Sequence, residues 1–302
     1  MYHPEEFVKL TNENNINNEF EFKEGLNEDI YELNEKDECG KGGLYFCRFK
    51  DIKYWITWFT NCNIWRVSIP EGEKVIEYEN KLKAHRIILS DCQSFYENED
   101  LCKIAVQLNG NLIKYVKNQT EKLCRIAVQK NGNALQYVKN QTEELCRIAV
   151  QQDGIALEYV KNQTEELCKL AVQQYCFALK YVKNQTYELC KLAVKLNCGS
   201  ISYVKEQTEE LCRLAVQQNG YVIELVRPQF RTEELCRIAV QKNCYAIQFV
   251  ENQTEELCKL AVQKNSYVIQ YVKNQTYELC KLALKQNSYA INLLNHNFNR
   301  II

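Results

Sequence analysis

Cysteine and histidine are the side chains of this sequence best suited to covalent or metal chemistry, and their spacing restricts both. The 302 residues include 16 cysteines but only three histidines, His3, His85 and His296. No Cys-x-x-Cys pair occurs and zinc-ligand spacing is absent, so no metal and no cofactor are expected. Nine cysteines (Cys102, Cys124, Cys146, Cys168, Cys190, Cys212, Cys236, Cys258 and Cys280) recur at one position of a repeat. A nucleophilic thiol needs a cationic neighbour or a helix N-terminus. These nine fall inside a predicted helix and read instead as small buried hydrophobes. Cys39 and Cys47 flank Gly42-Gly43, with His85 as the plausible base nearby in sequence. A Cys/His pair would support nucleophilic catalysis, but no Asp or Asn can be assigned to orient it, and no catalytic residue is assigned.

Charged and aromatic side chains offer binding chemistry. The residue after each repeat cysteine (Cys+1) is Lys or Arg in all nine repeats, and Cys+15 is basic in seven. On stacked repeats each position would form a ridge able to follow phosphates. Glu121/Arg125, Glu143/Arg147 and Glu165/Lys169 stand four apart in the favourable order, so a neutralised ridge is expected. Tyr115, Tyr137, Tyr159, Tyr181, Tyr203 and Tyr271 share Cys+13 and are expected in the core. Tyr221, Tyr245, Tyr267 and Tyr289 share Cys+9 at a predicted turn, where the first repeats carry Asn111 and Asn133. A position that varies among fixed neighbours can encode selectivity, and tyrosine is a favoured interface anchor. These four tyrosines are the candidate partner-binding residues.

The elements that must position them follow from the period. The cysteines are 22 residues apart, except for a gap of 24 between Cys212 and Cys236, where residues 227–232 replace the usual Lys-Asn-Gln-Thr. A fixed period of this size signals a solenoid, propeller or array. In the third repeat Thr142 is an N-cap, and Glu143 and Glu144 complement the helix dipole. Leu145, Cys146, Ile148, Ala149 and Val150 form one apolar face. Asp153-Gly154 ends the helix; glycine suits a left-handed stop, while Cys or Ser at that place in other repeats says that small size also counts. A second helix of about two turns is expected over Ile155 to Lys161, with Ala156, Leu157, Tyr159 and Val160 inward. One such unit cannot bury its apolar face alone, so neighbours must stack. Stacking at helix-packing distance separates equivalent cysteines by more than a disulfide spans. The insertion at 227–232 is expected to kink the stack or change its rise.

Residues 1–97 differ in kind. They hold all three tryptophans (Trp55, Trp58, Trp65) and 12 Lys+Arg against 19 Asp+Glu, whereas the remainder holds 26 against 20. Leu44 to Cys47, Ile64 to Ile69, Lys74 to Tyr78 and His85 to Leu89 read as strands, and Lys50 to Asn61 as an amphipathic, aromatic-rich helix. The fold expected is mainly α: an α-solenoid of nine helical hairpins of 22 residues over 98–302, preceded by a small α+β domain over 1–97. No apolar run is long enough to span a bilayer. The acidic N-terminus lacks the apolar core of a secretory leader, so a reducing, cytoplasmic setting is expected. There the six Asn-Gln-Thr triplets would serve as helix punctuation rather than glycosylation sites.

The pieces Glu24-Gly25-Leu26-Asn27, Gly42-Gly43-Leu44-Tyr45-Phe46, Trp65-Arg66-Val67-Ser68-Ile69-Pro70 and Lys83-Ala84-His85-Arg86-Ile87-Ile88-Leu89 resemble the N-terminal domain of giant-virus (mimivirus-type) repeat proteins, where it often precedes ankyrin repeats. The repeats lack the ankyrin Thr-Pro-Leu-His signature and are similar to short helical repeats of unknown function in such genomes. Where the family often carries a histidine before the Gly-Leu-Asn element, this chain has Asn14 to Asn18, so no histidine role is carried over. The resemblance implies an interaction role. The expected function is therefore a non-enzymatic protein–protein interaction scaffold, monomeric, with a host or viral protein as partner and no membrane contact. A helical-repeat nucleic-acid binder is the alternative, and an enzymatic N-terminal domain targeted by the repeats is the third reading.

Overall fold

A Thr or Asn, at least one acidic residue and a Leu-Cys pair open every repeat, and each becomes the start of an α-helix. The computed structural model describes residues 2–36, 39–56 and 62–294. Nine α-helices of ten residues follow the sheet among them: α1 (Glu99–Leu108), α2 (Glu121–Lys130), α3 (Glu143–Gln152), α4 (Glu165–Gln174), α5 (Tyr187–Leu196), α6 (Glu209–Gln218), α7 (Glu233–Lys242), α8 (Glu255–Lys264) and α9 (Tyr277–Gln286). The threonine hydroxyl accepts from the N–H of the leucine three residues on, as Thr208 does from Leu211 at 3.3 Å. Such a cap contributes ~1 kcal/mol. Asn98 caps α1, accepting from Asp100 and Leu101. Leu, Cys, Ala and Val are buried on one face of each helix from α1 to α8; α9 has Leu284 in place of the valine. Burying each Leu or Val is worth roughly 1.5–3 kcal/mol.

The second helix of the hairpin is shorter and tighter than expected. In the second repeat it is a six-residue 3₁₀ segment, Gly132–Tyr137, and the others repeat this form. Asn131 ends α2 and starts this segment, its side chain accepting from the Asn133 N–H, with extended backbone (φ −152°) rather than a left-handed stop. In the repeats that carry glycine after it, the constraint is space and not conformation. A Cβ at Gly132 would stand 2.6 Å from the Ala149 carbonyl of the next helix, and one at Gly154 2.7 Å from that of Ala171. The 3₁₀ form persists because its final carbonyls are taken from outside, as described below. The tyrosines at Cys+13 are half-buried rather than core, and Tyr203 is exposed.

The N-terminal strands are β1 (Phe7–Asn12), β2 (Ile16–Asn17), β3 (Phe20–Glu21), β4 (Gly25–Glu28), β5 (Leu44–Arg48), β6 (Cys62–Ser68), β7 (Val75–Glu77), β8 (Leu82–Ala84) and β9 (Arg86–Ser94). Seven of them form an antiparallel sheet in the order β4-β9-β6-β1-β5-β8-β7, with β2 and β3 a separate hairpin. Four strands lie where alternation places them; β1, the central strand, does not announce itself. Phe22, Leu44, Phe46, Trp65, Val67 and Leu89 are among the core residues on one face. The predicted helix over Lys50 to Asn61 is instead a 3₁₀ turn, Phe49–Tyr54, whose start has no side-chain cap. Residues 57–61 of that expectation, Trp58 among them, lie outside the described residues, as does His296.

The chain forms two compact units, Met1–Gln152 with Tyr159–Lys161, and Asp153–Glu158 with Asn162–Ile302. Among the described residues no helix is long and apolar enough to cross a membrane.

Candidate functional site

The glutamine before each threonine joins one repeat to the next. Gln207 Nε2 donates to the Ile201 carbonyl of its own repeat (3.0 Å) and to the Leu225 carbonyl of the following one (3.0 Å). Its Oε1 accepts from the Arg227 N–H at 2.8 Å and from the Cys212 thiol at 3.7 Å. Gln119, Gln141, Gln163, Gln185 and Gln253 make the same pair of carbonyl bonds. The repeat cysteines are therefore hydrophobes with one weak hydrogen bond to give, and burial raises their thiols above the usual range. None of the nine repeat cysteines is in a disulfide.

The 227–232 insertion keeps this bridge by other means. Residues Pro228–Phe230 make a 3₁₀ turn that sets Arg231 where a glutamine would be. Its guanidinium donates to the carbonyls of Val226 (2.8 Å), Glu224 (3.0 Å) and Phe249 (3.3 Å). Phe249 is the Cys+13 residue of the next repeat, the same carbonyl position that the glutamines reach.

Members of both basic ridges have local partners. Arg125 meets Glu121 of its own helix and Glu144 of the next, and Arg213 meets Glu209 and Glu234 in the same way. Arg147 pairs with Glu143 and Lys191 with Glu210. At Cys+15 the ammonium of Lys139 donates to the Lys117 carbonyl one repeat back at 3.0 Å; Lys161, Lys205 and Lys273 do likewise, and the Arg227 guanidinium takes the Lys205 carbonyl. Of the expected i,i+4 pairs, Glu121/Arg125 and Glu143/Arg147 form, while Glu165 and Lys169 make no ion pair among the described residues. The bonds that cross from repeat to repeat were not legible from spacing, because they depend on stacking.

The four candidate tyrosines occupy equivalent turns in unequal surroundings. Tyr221 packs edge-on to Phe249 of the next repeat (5.0 Å, 87°) and stays 39% exposed. Tyr245 meets Tyr271 (6.2 Å, 71°), and its hydroxyl accepts from Asn265 Nδ2 at 3.1 Å, leaving it half-buried. Tyr267 and Tyr289 are 43% and 72% exposed. Phe177 makes the same edge contact with Tyr203, so the aromatic pairing of Cys+9 with the next Cys+13 starts earlier than the tyrosines.

The N-terminal Cys/His candidates part company. His85 uses both ring nitrogens elsewhere: Nδ1 lies 3.1 Å from the Tyr31 carbonyl and Nε2 3.3 Å from Glu28. Burial pushes the Cys47 thiol up to about 12, where no thiolate forms at neutral pH. Cys39 and Cys47 instead line one cavity of about 280 Å³, together with Val8, Lys9, Leu10 and Tyr45. The cavity sits at a fork. β1 pairs with β5 through Phe7 and Val8 only, while its other edge stays paired to β6 from Val8 through Asn12. Lys9, on the splayed part, was not singled out by sequence. Its signal was a lysine at an inward position of a short alternating strand. Among the described residues no group of three His, Cys, Asp or Glu side chains is placed to hold a metal ion.

Residues 120–164 and 208–254 match the model of a family described as a domain of unknown function, DUF4116. Each match spans about two of the 22-residue repeats. No curated protein and no solved structure matches the chain.

Proposed function

We propose that this chain is a non-enzymatic interaction scaffold whose repeats stack as an α-solenoid to present the Cys+9 turns to a protein partner. The observation that carries the reading is the glutamine bridge. Repeated at joint after joint, with Arg231 in the glutamine's place at one of them, it ties hairpin to hairpin by backbone carbonyls and holds the variable Cys+9 side chains at intervals of 22 residues, 24 across the insertion. A position that changes from Asn to Tyr along a frame kept constant is suited to reading an extended partner. The ion pairs of Arg125, Arg147, Lys191 and Arg213 at Cys+1 and the carbonyl contacts at Cys+15 favour a protein partner over nucleic acid, since they draw part of each ridge away from phosphates. The resemblance of the N-terminal motifs to giant-virus repeat proteins supports a viral factor acting in host cytoplasm.

The test is capture by the tagged full-length chain from host-cell lysate, with and without nuclease, beside a variant carrying Tyr221→Ala, Tyr245→Ala, Tyr267→Ala and Tyr289→Ala. Specific proteins that survive nuclease and are lost from the variant are the expected result. Capture abolished by nuclease would replace the scaffold with the nucleic-acid reading, and capture indifferent to the four substitutions would remove the turns from the interface.

A further inference from the structure

We propose that the cavity at the β1/β5 fork binds a small monocarboxylate with an apolar body, its anionic head paired with the Lys9 ammonium. Lys9 is 4% exposed and lines both this cavity and the cleft beside it. Its ammonium stands 4.5 Å from the centroid of the Phe22 ring, and among the described residues no oxygen or sulfur accepts a hydrogen bond from it. The two other buried lysines of the domain are engaged: Lys81 donates to the Cys39 sulfur at 3.1 Å and Lys83 to the Asn34 carbonyl at 3.1 Å. A buried cation without an acceptor is costly, and a ligand that supplied the counter-charge would relieve that cost. Burial holds Lys9 down at about 7, so an arriving anion would restore the charge that the fold suppresses.

The walls select the rest of the ligand. Val8, Leu10, Phe46 and Trp55 give the cavity an apolar side, and about 280 Å³ lies at the small end of ligand pockets. Lys81 also lines the cavity but is engaged by the Cys39 sulfur, so Lys9 is the ammonium left to a ligand, and with no guanidinium beside it that suits a single negative charge. A phosphate dianion is disfavoured further by Glu19 and Asp29, which line the adjoining cleft. The domain as a whole is acidic, so the selectivity resides in the fork and not in a general positive field.

The experiment is isothermal titration of the full-length chain at pH 7 with benzoate, benzamide and inorganic phosphate. Benzoate is expected to bind at least tenfold more tightly than its neutral isostere benzamide, with no binding by phosphate. Lys9→Met, which keeps the side-chain volume, is expected to erase the preference for benzoate. Equal binding of benzoate and benzamide, phosphate binding as tight as benzoate, or an unchanged preference in Lys9→Met would each overturn the proposal. A readout on the unmodified chain covers a variant that fails to fold. Acylation of Lys9 by an amine-reactive ester, followed by mass spectrometry, should slow at least fivefold in saturating benzoate, and no protection would refute the site.

Discussion

The repeats and the sheet domain both bury polar side chains, and they use them differently. In the repeats, Gln207 and Gln275 are buried with both amide hydrogens bound to carbonyls, so the polar group is a fastener. In the sheet, Lys9 is equally buried with only an aromatic face beside its charge. The same degree of burial therefore has opposite meanings. A saturated polar group stabilises the joint it crosses, whereas an unsaturated one lowers stability.

Substitution by an apolar residue of similar size separates the two cases by sign. Gln207→Leu leaves the Ile201 and Leu225 carbonyls and the Arg227 N–H without their partner. At the usual cost of a buried unpaired group the loss is about 3–4 kcal/mol, read as a lower urea midpoint. A loss below about 1 kcal/mol would mean that water replaces the bridge and that the joint is not held as argued.

Lys9→Met should act in the opposite direction, and its effect should depend on pH. The folded-state value of about 7 lies below the ordinary lysine value of 10.5. Between the two, the unfolded chain holds a proton that the folded chain has released, so stability rises with pH through that window. Below it both states are protonated, and the wild type carries the full penalty. Relative to Lys9→Met, the wild type should gain about 3 kcal/mol between pH 6 and pH 9. Paired denaturant titrations at the two pH values measure it. A flat difference would show that the ammonium is satisfied in the folded state and would remove the contrast with Gln207.

What could be read from sequence divides along the same line. The period, the threonine caps and the Leu/Cys/Ala/Val face were legible because each depends on neighbours within one repeat. The glutamine bridge was not, since Gln207 reads as polar punctuation until the next repeat supplies Leu225 and Arg227. The glycine at Cys+8 was read as a left-handed stop for the same reason; the Ala149 carbonyl that excludes a Cβ from Gly132 belongs to the following helix. In the sheet, β5 and β6 announced themselves by apolar alternation. β1 did not, because its inward residues include Lys9 and Thr11, the latter accepting from Trp65 Nε1 at 3.2 Å. Those residues break the pattern that would reveal the strand, and they do so at the fork that forms the cavity. The candidate ligand site was hidden by the feature that makes it one.

A smaller effect tests whether the helices depend on their own caps or on the joints between them. Thr208→Ala removes the acceptor for the Leu211 N–H and should cost about 1 kcal/mol. Because Gln207 stands beside it, a cost near that of Gln207→Leu would show that the cap and the bridge act as one unit. A double-mutant cycle on the two residues gives the coupling directly.

The smallest effect belongs to the surface. Arg213 reaches Glu209 at 3.4 Å on its own helix and Glu234 at 2.7 Å on the next, and burial contributes little to either contact. Side-chain entropy and screening leave exposed pairs of this kind with little net stability. Arg213→Gln should therefore leave the urea midpoint unchanged within error, with or without 0.5 M salt (~0.5 M is enough to screen such contacts). The charge still matters for recognition, because a guanidinium held between two carboxylates cannot turn to a phosphate without leaving both. If Arg213→Gln weakened binding to an oligonucleotide and flattened its dependence on salt, the ridge would be counted as free cation rather than neutralised surface. If it changed neither, the Cys+1 arginines would stand with the glutamines as groups already spent on the protein itself.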